Sequence, residues 1–318
     1  MICLGVESTA HTFSAGIISS KGKVFADIRD MYKSATGIIP AAAAQHHKQL
    51  YHKIIKQALE EAGQKIDLLA YSHGPGLSPC LHVGVQAARE YAKDLIVPVI
   101  GVNHPAAHLT SGQLFTKAKN PVFLYISGAN TQVISIEGGA FRIMGETLDI
   151  GLGNALDKFG RSINLGFPAG PQIEEAAKTG AYIKLPYTVK GMDTAFSGLI
   201  TKCGHLAQKG VAKEDLCFSL QETAFAMVTE IAERAMAFTQ KDELLLIGGV
   251  AANKRLCEML AIMCRERDAA FFAAPLQYAG DNGVMIAWQG LLEYQAGRRD
   301  STVDIYPYER IEEVKVIW

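Results

Sequence analysis

The chain has 318 residues, 31 Lys+Arg against 32 Asp+Glu, and a formal net charge of -1. Apolar residues make up 49% and charged residues 20%, a globular composition that excludes a disordered chain; at roughly 150 residues per domain the length fits about two domains, each with its own core. The charge balance argues against a protein that holds nucleic acid by its own basic surface, because such binding needs a surplus of Lys and Arg on one face.

The elements begin with Ile2-Cys3-Leu4-Gly5-Val6-Glu7, an apolar strand. A small polar turn at Ser8-Thr9 follows, and Phe13–Ile18 forms a second apolar strand. A helical stretch runs from Pro40 to Gly63, with Leu50, Ile54, Ile55 and Leu59 on one face. Asp67–Ser72 is a strand that ends in the tight turn His73-Gly74-Pro75-Gly76-Leu77-Ser78-Pro79, and a helix follows from Cys80 to about Asp94. Val97–Val102 is a further strand opening into His104-Pro105-Ala106-Ala107-His108, where Pro105 suits the first turn of a helix.

Halfway along, the opening pattern returns. Val122–Ile126 runs through Ser127-Gly128-Ala129-Asn130-Thr131 into Gln132–Ile136, again strand, Ser/Thr/Gly turn, strand. Two such hairpins, each followed by alternating helices and strands, point to two related α/β domains facing a cleft. The expected boundaries are 1–118, 119–297 and a tail over 298–318. In the second half, helices are expected around Gly153–Ser162, Pro171–Lys178, Lys213–Thr239 and Asn282–Gln295, with a Gly/Pro-punctuated stretch reaching about Leu199. Glu243–Ile247 is a buried strand, and Gly248-Gly249-Val250-Ala251-Ala252-Asn253 turns into a helix toward Arg265. The tail after Gly297 shows no clear periodicity.

No run of 18 apolar residues occurs, and the start lacks a basic n-region, so neither a membrane-spanning helix nor a secretion signal is expected. The six cysteines lack C-x-x-C spacing and sit mostly in apolar runs, which suits free thiols in a reducing cytoplasm.

The residues that can carry chemistry fall into four groups. The turns Glu7-Ser8-Thr9 and Ser127–Thr131 offer hydroxyls and backbone N–H groups suited to phosphate oxygens. Gly248-Gly249 permits close backbone approach to a flat ligand such as adenine or ribose, with Asn253 placed to hydrogen-bond it. His104 and His108 lie four apart on one helix face, the spacing for two imidazoles on one metal. Pro105 stands where a His-Glu-x-x-His peptidase needs its Glu, which argues against a metallopeptidase. Asp281 at a helix start is a candidate third ligand, and Tyr125 another. Asp157 and Glu174 are candidate partners for ribose hydroxyls. His46-His47 and His205 are expected on the surface.

Taken together these segments resemble the archaeal/eukaryotic branch of the TsaD family. The resemblance rests on Gly5–Phe13, His73–Leu77, Gly101–His108, Tyr125–Val133, Gly153–Lys158, Asp193–Leu199, Gly248–Asn253 and Gly280–Gly283, in family order over nearly the whole chain. It implies the actin-like/Hsp70-like/sugar-kinase (ASKHA) fold, α/β with duplicated ribonuclease-H-like domains. It also implies transfer of a threonylcarbamoyl group from threonylcarbamoyl-AMP to N6 of adenosine-37 in tRNA, within the KEOPS complex. Carried over by motif, His104, His108 and Asp281 would form the catalytic metal site, with Tyr125 as a further ligand. Tyr125, Ile126, Ser127, Gly128 and Ala129, with Asp157, Gly170, Glu174 and Asn253, would hold the adenylate.

The implied cofactors are one divalent metal, Fe2+ ahead of Zn2+, and an adenine nucleotide. The implied partners are tRNA, the KEOPS subunits including a small kinase that is fused in some members, and a separate YrdC/Sua-type synthase supplying the donor. The chain departs from the family pattern at Ala41-Ala42, where Arg-Glu is usual, at His82 in place of Arg and at Gln172 in place of Lys. Two other readings are an ATPase or sugar kinase of the same fold, which needs a catalytic Asp and no His pair, and a non-catalytic scaffold subunit. No Ser–His or Cys–His nucleophile is evident, so direct attack by the tRNA amine is expected.

Overall fold

The computed structural model describes residues 1–34, 37–300 and 302–318. The chain forms two compact units, one of Met1–Phe115, Gly138–Phe141 and Gly280–Trp318, the other of Thr116–Glu137 and Arg142–Ala279.

In the first unit the order is β1 (Ile2–Glu7), β2 (Thr12–Ser19), β3 (Val24–Met31), α1 (Pro40–Ala62), β4 (Leu68–Gly74), α2 (Ser78–Leu95), β5 (Val99–Asn103) and α3 (His104–Thr116). The sheet order is β3-β2-β1-β4-β5. The first three strands pair antiparallel as a meander, and β4 and β5 add in parallel. Strands β1 and β4 read as near-continuous apolar runs because both faces are covered. Helix α1 buries Tyr51, Ile54, Ile55, Ala58 and Ala62 on one stripe. Pro40 opens it, and Gly63, at φ +54°, ends it by bonding the Leu59 carbonyl.

The next elements are β6 (Val122–Ile126), β7 (Thr131–Glu137), β8 (Ala140–Glu146), α4 (Leu152–Ser162), α5 (Gly170–Ala177), β9 (Val189–Lys190) and β10 (Asp193–Thr194). They are followed by α6 (Ser197–Gln208), α7 (Lys213–Thr239), β11 (Glu243–Ile247), α8 (Lys254–Glu266), β12 (Ala270–Ala273), α9 (Leu276–Ala279) and α10 (Gly283–Gln295). The second sheet runs β8-β7-β6-β11-β12, with β6–β7 antiparallel and β6–β11 and β11–β12 parallel. Strand for strand this repeats the first sheet, so the echo in the sequence is a repeated topology. Helix α7 supplies the spine of the second core, with Leu220, Phe225, Val228 and Ile231 fully buried.

The expected partition needs one correction. Gly280–Trp318, divided in the sequence reading between the second domain and a tail, packs with the first unit. The reason is steric. Helix α10 lies on β1 and β2 where glycines leave no Cβ: a Cβ on Gly5 would come within 2.1 Å of the Gly283 carbonyl, and one on Gly16 within 2.2 Å of the Val284 nitrogen. Strands β3, β8 and β12 and helix α6 were also not expected, since α6 begins where the sequence still looked punctuated. All six cysteines are free; five are buried and Cys257 is partly so. Among the described residues no helix is long and apolar enough to cross a membrane.

Candidate metal centre and nucleotide site

Strand β5 feeds directly into α3, so His104 opens the helix and His108 follows one turn later on the same side. Asp281 sits just before α10. Its neighbour Asn282 caps that helix by accepting the Met285 N–H at 2.9 Å, and the Gly283 N–H donates to Ser14 Oγ at 2.9 Å. The approach permitted by the glycines therefore fixes Asp281 against α3. One ligand atom from each of His104, His108 and Asp281 lies within 4.8 Å of the others. His108 Nε2 is 3.2 Å and His104 Nε2 3.5 Å from Asp281 Oδ1, and the two rings stand edge to face at 4.7 Å.

Around this triad is a carboxylate–hydroxyl layer. Glu7 is fully buried at the end of β1, and its Oε2 lies 2.9 Å from His104 Nδ1. Its Oε1 accepts the Thr9 N–H at 2.7 Å and the Thr9 hydroxyl at 2.5 Å. His11 Nδ1 lies 3.7 Å from Asp281 Oδ2. Burial alone would make His104 less basic, but the charge and hydrogen bond of Glu7, helped by Asp281, outweigh it and raise its pKa to about 9. For His108 burial wins, and its pKa falls. Burial would push Asp281 up; its hydrogen bond with His108 and the charges of His104, His108 and His11 instead hold it well below the usual carboxylate range.

Two imidazoles and a carboxylate, with a second carboxylate on the outer nitrogen of one imidazole, are a donor set and support suited to a divalent transition metal.

This geometry corrects the reading of Glu7-Ser8-Thr9 as a phosphate turn. The Ser8 N–H donates to Ser72 Oγ at 3.0 Å, the Ser8 hydroxyl donates to the Cys80 carbonyl at 2.8 Å, and Thr9 is turned onto Glu7. A buried carboxylate would also repel a phosphate there. The surface reading of His46-His47 is corrected as well. His47 is buried and its Nε2 lies 3.0 Å from the Ala10 carbonyl, while His46 pairs with Asp30 at 3.0 Å. His205 is exposed as expected.

The other candidates lie in the second unit. Tyr125 is buried at the penultimate position of β6, in register with Gln132 on β7 and Ile247 on β11. Ile126 ends the strand. The turn after it closes through Ser127 N–H to the Asn130 carbonyl at 2.9 Å, leaving Gly128 and Ala129 exposed at its tip. The Gly153 N–H donates to the Ser127 carbonyl and the Asn154 N–H to the Gly128 carbonyl, so the start of α4 lies against this turn. Gly248, at φ +100°, passes so close to the end of β6 that a Cβ would meet the Ile126 carbonyl at 2.2 Å, whereas Gly249 faces open space. Turn, α4 and the 248–253 segment therefore gather at the carboxyl ends of β6 and β11, the usual ligand edge of such a sheet.

Three side chains there have structural duties. Asp157 Oδ1 accepts the Ala169 N–H at 2.7 Å, just before Gly170 opens α5. Glu174 Oε1 accepts the Lys254 N–H at 2.9 Å. Asn253 caps α8 through Leu256 N–H at 3.1 Å and donates to Gln221 at 3.2 Å. Asp157 and Glu174 each keep a second oxygen.

The placement of Glu7, Thr9 and His11 around the His104–His108–Asp281 group is not evident from the sequence. An acid closing an otherwise apolar strand was the available signal for Glu7.

Comparison with known proteins agrees with this architecture. A family model described as TsaD, tRNA N6-adenosine threonylcarbamoyltransferase, matches residues 21–288. The tRNA N6-adenosine threonylcarbamoyltransferase of Archaeoglobus fulgidus is 48% identical over 322 residues, covering all of both chains. A probable bifunctional tRNA threonylcarbamoyladenosine biosynthesis protein of Methanocorpusculum labreanum is 52% identical over 320 residues, 99% of this chain. The chain spans 60% of the length of that bifunctional relative. Among solved structures, full-length HypF in its phosphate- and nucleotide-bound form matches with a TM-score of 0.65 at 12% identity, over 93% of this chain and 47% of HypF. Component A of the Acidaminococcus fermentans (R)-2-hydroxyglutaryl-CoA dehydratase matches with a TM-score of 0.56 at 14% identity, over 91% of this chain and 97% of that one. These distant likenesses bear on the fold alone, and that fold is the duplicated ASKHA one.

Proposed function

Since the chain belongs to the TsaD family, we propose that it is a tRNA N6-adenosine threonylcarbamoyltransferase. In this reading it uses threonylcarbamoyl-AMP as donor and modifies adenosine-37 of tRNAs that read codons starting with A. The N6 amine attacks the carbamoyl carbonyl carbon, the new C–N bond forms, the C–O bond to the phosphate breaks, N6 loses a proton and AMP leaves. The observation that carries the proposal is the convergence of His104, His108 and Asp281 within 4.8 Å in a chain of this family.

A bound divalent metal would polarise the carbamoyl carbonyl or orient the donor's carboxylate and phosphate as a Lewis acid. Two imidazoles with one carboxylate are a common ferrous donor set and also a zinc one, and we place Fe2+ ahead of Zn2+. His104, His108 and Asp281 would hold the ion, with Tyr125 as a fourth ligand. Glu7 engages Nδ1 of His104, which would leave Nε2 as the nitrogen available to a metal. For the adenylate we propose the exposed turn Ser127-Gly128-Ala129, the second oxygens of Asp157 and Glu174, and the open backbone at Gly170 and Gly249. Asn253, at the start of α8, would also contact the adenylate.

We further propose a cytoplasmic enzyme that works with KEOPS subunits and receives its donor from a separate YrdC/Sua-type synthase. The test is threonylcarbamoylation of tRNA by purified components. His104→Ala and His108→Ala should each abolish transfer; full activity in both would remove the metal role.

A further inference from the structure

Among the described residues after α10 there is no strand and only one short 3-10 turn, yet the segment is held at several points. Asp300 Oδ2 accepts the Gly101 N–H at 2.7 Å. The Tyr71 hydroxyl donates to the Asp304 carbonyl and accepts from its N–H, both at 2.9 Å. The Tyr306 N–H donates to the His73 carbonyl at 2.7 Å, and Gly76 donates to Pro307. A Cβ on Gly74 would lie 1.9 Å from the Tyr306 carbonyl, so the segment crosses the end of β4 at backbone contact. It behaves as a strap over the carboxyl ends of β4 and β5.

At the far end of this strap one oxygen takes two donors. Glu309 Oε2 lies 2.7 Å from His73 Nε2 and accepts the Asn103 side-chain amide at 2.8 Å. Asn103 is 1% exposed, and its other side-chain atom, Oδ1, accepts the Ala106 N–H at 3.1 Å. That is the bond of a helix N-cap, and the helix is α3, whose first two turns carry His104 and His108. A chain of contacts thus runs from the strap through one amide side chain to the start of the helix that presents both imidazoles.

We infer that Glu309 is a positioning residue for the metal centre, acting through the Asn103 cap to set the pose of His104 and His108. The inference rests on the reading of the triad as a metal site. Glu309 touches neither the ion nor the substrate. Its effect is to remove the freedom of the cap amide to rotate away from Ala106, and outer-layer partners of metal ligands are commonly worth about 10- to 100-fold in metal affinity.

The experiment is Co2+ titration of the metal-free full chain, followed by the visible ligand-field spectrum. Wild type should bind one ion, and His108→Ala should lose it; retention by His108→Ala would overturn the metal reading itself. Glu309→Ala should bind Co2+ about 10-fold or more weakly with an altered spectrum, and Glu309→Gln, which keeps an oxygen for the Asn103 amide, should recover most of that loss. Asn103→Ser keeps a cap oxygen but loses the link to Glu309. It should weaken binding as Glu309→Ala does, and the double variant should add little. It also stands in should Glu309→Ala fail to fold. If Glu309→Ala, or in its place Asn103→Ser, keeps wild-type Co2+ affinity and spectrum while His108→Ala loses the ion, the strap has no part in positioning the site.

Discussion

His104 carries its proton in the metal-free protein because the buried Glu7 carboxylate faces it at 2.9 Å. A metal must displace that proton. Its apparent affinity should therefore rise with pH up to about 9, with proton release on binding. The same raised pKa stabilises the metal-free fold below the ordinary value of 6.5, and that contribution fades as pH climbs to about 9. Glu7→Gln keeps an acceptor for Thr9 but removes the charge, so the rise of Co2+ affinity should end at lower pH. An unchanged pH profile in Glu7→Gln would place the displaced proton on another group. At this scale the sequence was partly legible. The spacing of His104 and His108 is set by one helical turn and can be read directly. The assignment of Glu7 was not readable, because its partner lies 97 residues away and its neighbours Ser8 and Thr9 look like a phosphate turn until their donors are seen to be spent inside the chain.

Helix α10 is the element that brings Asp281 up to His104 and His108. Its contact with the sheet depends on absent side chains: a Cβ on Gly290 would lie 2.4 Å from the Ala70 Cβ and 3.3 Å from Ile100 Cγ2. Gly290→Ala should cost about 1–3 kcal/mol by overpacking, measurable as a lower urea midpoint, and should also weaken Co2+ binding by shifting Asp281. A wild-type midpoint would show that the helix slides without loss. The long helices α1 and α7 and the apolar strands were legible because a single face or run announces them. Helix α6 was hidden because it starts at Ser197-Gly198 without a side-chain cap, and β12 because four residues give no period. The strap was illegible for a different reason. Its order comes from distant partners, such as Asn103 for Glu309, 206 residues away, and no local pattern encodes them.

The whole molecule carries a net charge of -1, yet its proposed substrate is a polyanion. The charge count limits unaided electrostatic affinity only. The isolated chain should bind tRNA in the range of roughly 10⁻⁴–10⁻⁶ M at physiological salt, typical of non-specific binding, and partner subunits should supply much of the basic surface. Filter binding across a salt series would test this; nanomolar binding by the chain alone would contradict it. The repeated sheet order was foreshadowed by the two hairpins in the sequence. The return of the last 39 residues to the first unit was not, since it is set by which sheet has the glycine-lined face.

That return has a consequence for synthesis. On the ribosome the first sheet emerges long before α10, with the face around Gly5 and Gly16 uncovered while the entire second unit is made. At about 5–20 residues per second the delay is on the order of ten seconds or more. Through that interval the nascent chain holds His104 and His108 without Asp281, so the triad can come together only once α10 has emerged. The second unit, by contrast, is contiguous but for the Gly138–Phe141 tip and can complete its core first.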